Sequence, residues 1–120
     1  MKIYVSGPIT GHNKVLIEAA FAKAEKDIID RGHTAVNPLT LSKELPEAAS
    51  WHDYMKRDIK ELMECDGIYM LPGWVYSKGC NLEYAIAKAM ELLIFDQAVS
   101  IPFTPAKRRE RRRYGQTTRK

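Results

Sequence analysis

Cysteine is scarce in this chain, and long apolar runs are absent. Only two of the 120 residues are cysteines. Cys65 and Cys80 cannot staple a disulfide scaffold and have no metal-ligand spacing, so they are read as reduced thiols. The three histidines, His12, His33 and His52, show no H-E-x-x-H or similar pattern, and no metal site is expected. No apolar run approaches membrane-spanning length, and the N-terminus lacks a charged stretch followed by an apolar one. These absences point to a cytoplasmic protein without membrane contact.

What is present is the composition of an ordinary soluble domain, 45% apolar and 28% charged, with enough chain for one real core. The net charge of +4 divides unevenly. Residues 106–120, "AKRRERRRYGQTTRK", hold eight of the 19 Lys/Arg and one of the 15 Asp/Glu, while the other 105 residues are mildly acidic. The expected organisation is a domain over 1–105 and a basic, disordered tail over 106–120. A nucleic-acid contact through that tail is the alternative. Its only aromatic residue is Tyr114, which makes no base-stacking platform.

Along the domain, "KIYVS" (2–6) reads as a strand. From Lys14 to Arg31, Leu16, Ala20, Ala24 and Ile28 recur every four residues beside Ile17 and Phe21, an amphipathic helix stopped by Gly32. "HTAVNP" is a short second strand, and 39–50 a loop with a turn of helix. Ser50 with Asp53 caps a helix whose apolar stripe is Trp51, Met55, Ile59 and Leu62. "GIYML" (67–71) is a buried strand. "PGWVYSKG" is a loop, and Asn81 to Met90 a helix with Leu82, Ala85, Ile86 and Ala89 inward. "LLIF" (92–95) is the fourth strand, with "VSIPF" as a short fifth. This alternation predicts an α/β, flavodoxin-like (Rossmann-like) three-layer sandwich on a parallel sheet of four to five strands. In strand order 2-1-3-4, the ligand crevice lies between the loops after the first and third strands, "GPITGH" and "PGWVYSKG".

Several residues invite chemistry. The Gly7–Gly11 turn is either a plain tight connection or a place where backbone amides approach a ligand; it matches neither G-x-G-x-x-G nor a P-loop. Glu83, soon after "SKGC", is either a carboxylate favoured by a helix N-terminus or a nucleophile at the crevice mouth. Asp58 sits against a buried stripe, where a charge is either paired at the edge or functional. Asp66 reads as a turn residue. Cys80, near a helix start, is weighed as a thiol of lowered pKa, though no histidine base lies beside it. Trp74 and Tyr76 read as core or rim residues, or as stacking partners for a base.

Together, "IYVSGPITG", "YMKRDIKELMECDGIYMLPGW" and "SKGCNLEYAIA" resemble the nucleoside 2-deoxyribosyltransferase-like superfamily, including its 2′-deoxynucleoside 5′-monophosphate N-glycosidase branch and small phage and bacterial relatives. The resemblance covers roughly residues 1–96 and lies in the order and spacing of the motifs. It implies Glu83 as catalytic nucleophile and Asp58 as the second catalytic carboxylate. It implies Ser77 and Gly79 as phosphate ligands, and Tyr4, Gly7, Ile9 and Gly11 as the turn contacting the sugar. The turn would then be clearing space for a deoxyribose. The implied partners are a nucleoside or nucleotide and a second copy in a homodimer or higher homo-oligomer, with no cofactor. Pro8 stands where the hydrolase branch has a phosphate-contacting serine, and Ser77 about where the transferases carry a sugar-orienting aspartate. The rival reading is a nucleotide-binding module that keeps the fold without turnover.

Overall fold

The computed structural model describes residues 1–104. The basic stretch 106–120 and the nucleic-acid contact considered for it lie outside the described residues. Four parallel strands, β1 (Lys2–Ser6), β2 (Thr34–Val36), β3 (Gly67–Met70) and β4 (Leu93–Phe95), stand in the order β2-β1-β3-β4. This is the order that puts the topological switch between β1 and β3. The connecting helices are α1 (Lys14–Asp30), a single turn α2 (Pro38–Leu41), α3 (Trp51–Leu62) and α4 (Lys78–Ala89). Among the described residues no helix is long and apolar enough to cross a membrane.

Local chemistry sets each helix start. Asn13 Oδ1 accepts from the Leu16 amide at 3.1 Å to cap α1. At α3, Ser50 and Asp53 form the anticipated capping box, each side chain accepting from the other's backbone amide. Ser77 caps α4 by accepting from the Cys80 amide at 3.2 Å. Helix α4 therefore begins at Lys78, three residues before the expected start at Asn81. Asn81 instead ties the loop down, donating to the Val75 and Ser77 carbonyls.

Side-chain alternation along β1 splits the protein into two cores. Ile3 and Val5 face α1, packing with Phe21, Ala24, Ile28, Tyr69, Leu71 and Phe95. Tyr4 faces α3 and α4, where Leu62, Ile68, Met70, Cys80 and Ala87 gather. The α1 stripe is narrower than expected: Leu16 and Ala20 are exposed. The fifth strand does not form. Residues Ala98–Ser100 make a 3-10 turn, Ile101 plugs the α1-side core, and Pro102 has no amide to offer a ladder. The carbonyls here go to side chains instead, Ile101 O to Arg31 Nε at 2.9 Å and Pro102 O to His33 Nε2 at 2.5 Å.

Candidate active site

On the α3/α4 face, two helices carry the same pattern of apolar, acid, apolar at i, i+3 and i+7. In α3 the buried residues are Met55, Asp58 and Leu62; in α4 they are Cys80, Glu83 and Ala87. This spacing keeps all three on one helical face, so each acid is the middle of a stripe aimed at the sheet. Asp58 is 7% and Glu83 5% exposed. The inward face expected for α4 was Leu82, Ala85, Ile86 and Ala89. It is turned relative to the real one because the true start places Cys80 in the first turn, and Leu82 and Ala85 are exposed.

Between these acids stands the end of β1. Tyr4 Oη donates to Glu83 Oε2 at 2.6 Å, and Ser6 Oγ donates to Glu83 Oε1 at 2.7 Å. Both Glu83 carboxylate oxygens thus accept from a hydroxyl in a buried setting. Asp58 is served less well: among the described residues its Oδ1 has no hydrogen-bond partner, although the Tyr4 phenol lies within reach of its carboxyl.

The electrostatics follow from burial and proximity. Burial pushes Asp58 up to about 7, the Glu83 charge adds to this, and Arg57 and the Tyr4 hydroxyl oppose it. Burial also raises Glu83 from the ordinary carboxylate value, while the Tyr4 and Ser6 hydroxyls pull it back. Tyr4 is raised well above the usual phenol value by burial and then by the two acids, so it stays a donor. The Cys80 thiol is pushed up by burial, not lowered by its helix start. The arrangement sets a glutamate held by two hydroxyl donors beside an aspartate whose proton is retained up to about pH 7.

The other candidates are distributed around this pair. Ser77 lies at the N-terminus of α4, its oxygen engaged as the cap. A Cβ on Gly79 would meet Met55 Sδ at 3.3 Å, so this glycine lets α4 approach α3. At Gly7 a Cβ would meet Leu71 Cδ1 at 3.0 Å and Phe21 Cζ at 3.1 Å: the room the glycine makes is filled by the protein's own core. Gly11 has φ +80 with open space around it, so it serves backbone conformation. Ile9 and Gly11 are exposed on the loop after β1. The Trp74 ring is already stacked on Tyr84 at 4.6 Å, and Tyr76 projects into solvent. Asp66 is the turn residue expected, accepting from the Lys2 amide at 2.8 Å. Among the described residues no group of three or more His, Cys, Asp or Glu side chains could hold a metal ion.

The loops after β1 and β3 do meet, and Pro8, His12, Leu16, Leu71, Pro72 and Gly73 help line a groove of about 520 Å³ there. It opens on the α1 side of the sheet, and neither carboxylate lines it. Ser6 was absent from the residues that sequence singled out. Period-two alternation, which places it on the same face as Tyr4, is the signal that would have found it.

Comparison with known proteins agrees with this architecture. Residues 1–96 match the family model described as "Domain of unknown function (DUF4406)", and the chain belongs to that family. No curated protein matches it. Among solved structures it is similar to a 2-deoxyribosyltransferase from Bacillus psychrosaccharolyticus, with TM-score 0.62 and 19% identity, over 88% of this chain and 98% of that one. It is also similar to the Clostridium botulinum CMP N-glycosidase BcmB, with TM-score 0.54 and 19% identity, over 78% of this chain and 66% of that one. The chain shares its fold with these two enzymes.

Proposed function

We propose that this DUF4406 protein cleaves the N-glycosidic bond of a 2′-deoxynucleoside or its 5′-monophosphate, with Glu83 as nucleophile and Asp58 as general acid. The observation that carries the reading is the pairing of a doubly hydrogen-bonded carboxylate with a carboxyl raised to about 7 in one buried pocket. Glycosidic cleavage builds positive charge on the sugar, and two carboxyl groups of unequal protonation match that need. A Glu83 oxygen would bond to C1′ as the C1′–N bond breaks, and Asp58 would pass its proton to the departing base. Water attacking the resulting ester gives hydrolysis, and a second base gives transfer. The 5′ substituent would lie toward Ser77 and Gly79 and the sugar beside Tyr4, Ile9 and Gly11, as the family resemblance implies, with Gly7 shaping the turn because the core fills the space beside it. Ser77 tilts the proposal toward a monophosphate and hydrolysis. The same resemblance carries a homodimer or higher homo-oligomer, which sedimentation would test.

The two acids predict a bell-shaped pH profile for kcat/KM, rising as Glu83 ionises and falling as Asp58 loses its proton near pH 7. The deciding experiment incubates the protein with the four deoxynucleosides and their monophosphates and follows free base by chromatography. Release that disappears in Glu83→Ala and Asp58→Asn supports the proposal. A rival, a nucleotide-binding module, is favoured by Pro8, which removes a hydroxyl and an amide from the turn. It wins if no substrate is cleaved while a nucleotide raises the melting temperature.

A further inference from the structure

Ser6 closes β1 at 1% exposure, on the face it shares with Tyr4 and opposite Met70 of β3, both buried. A hydroxyl in such a place costs stability unless it is hydrogen-bonded, and an aliphatic side chain would pack there without that demand. Its partner is Glu83 Oε1, at 2.7 Å. The strand fixes the serine, since its carbonyl accepts from the Leu71 amide at 2.8 Å. The Cys80 thiol lies beside the same hydroxyl.

Two buried carboxyl groups that feel each other's charge compete for a proton, and the one with more donors keeps the negative charge. The single Tyr4 hydroxyl proton already goes to Glu83 Oε2 at 2.6 Å, which leaves Oε1 to be held by a second donor. Ser6 donates to Glu83, and Asp58 Oδ1 has no partner among the described residues. We propose that Ser6 is a positioning residue that assigns the negative charge to Glu83 and the proton to Asp58, holding the glutamate in one orientation. The catalytic meaning of this assignment rests on the glycosidic reading above; the charge assignment itself rests on the geometry. The titratable or charged groups involved are Tyr4 from β1, Asp58 and Arg57 from α3, and Cys80 from the glutamate's own helix.

The test compares wild type with Ser6→Ala, and with Ser6→Cys, which keeps a weak donor. In turnover, Ser6→Ala should lower kcat roughly 10- to 100-fold with KM within about threefold. Its pH bell should narrow from both sides by about one unit in total, the acid limb moving up and the alkaline limb down, with Ser6→Cys between. Infrared titration of the two carboxyl groups, assigned through Glu83→Gln and Asp58→Asn, reads the same shifts without turnover. Glu83 titrating higher and Asp58 lower in Ser6→Ala supports the proposal, even if wild type releases no base and the glycosidic reading falls. Unchanged titrations in both folded variants overturn it, whatever the activity.

Discussion

The two faces of β1 differ although the strand is one continuous run. Toward α1 it presents Ile3 and Val5 to Phe21, Ala24 and Ile28, a core that follows simple hydrophobic patterning. Toward α3 and α4 it presents Tyr4 and Ser6 to two buried acids. The first face lowers free energy by removing apolar surface from water. The second gives up part of that gain to hold charge where water is scarce. Departures from local rules concentrate at functional sites, and both buried carboxyl groups stand on this face.

Substitutions that separate stability from chemistry break this comparison most directly. The largest effect is expected from Glu83→Ala, which should lower base release at least ~10³-fold, measured by single-turnover chromatography, while leaving the fold intact by circular dichroism. An active Glu83→Ala protein would remove the functional account of the second face. Phe21→Ala should do the reverse. It empties the α1-side core and is expected to cost about 3–5 kcal/mol in urea denaturation, with the per-molecule activity of the folded fraction retained.

The contrast also explains what sequence made legible. Periodicity located all four strands and the three long helices, because the apolar residues of β1, β3, α1 and α3 recur at the right intervals. It failed where polar groups decide. The cap at Ser77 moved the start of α4 and rotated its face, so Glu83, treated as a residue of the crevice mouth, is instead the centre of the buried stripe. Asp58 was legible because its neighbours Met55 and Leu62 marked the stripe around it. The fifth strand failed because an apolar run can plug a core as readily as extend a sheet. For Ser6 the alternation along β1 signals only the face it shares with Tyr4; its role depends on a partner 77 positions away.

A smaller effect, of unusual sign, is expected at Asp58. Its carboxyl is raised from 3.8 to about 7 in the fold, so the native state holds this proton more tightly than the unfolded chain. The stability it contributes is full below about pH 4 and is lost as pH rises toward 7. The linkage limit is on the order of 4 kcal/mol. Asp58→Asn removes this titration and should gain about 2 kcal/mol at pH 8, after the cost of an unpartnered amide, while lowering activity. Denaturation from pH 4 to 8 checks it: a wild-type curve that does not fall over this range would mean the carboxyl titrates normally. More stable yet less active is the outcome that marks a group retained for chemistry.

The smallest effect sharpens the comparison at the helix starts. Ser50 and Ser77 both cap a helix through the side-chain oxygen, Ser50 on α3 and Ser77 on α4. Replacing either with Ala should cost about 1 kcal/mol, because an amide of the first turn loses its acceptor. Only Ser77 has a proposed second task, at the 5′ end of the substrate. Ser77→Ala should therefore raise KM for a monophosphate several-fold more than KM for the matching nucleoside, whereas Ser50→Ala should leave that ratio unchanged. Equal ratios in the two variants would reduce Ser77 to a cap and remove the preference for a phosphorylated substrate. An unequal ratio would separate the serine that starts a helix from the one that also recognises a ligand, although their stability costs are the same.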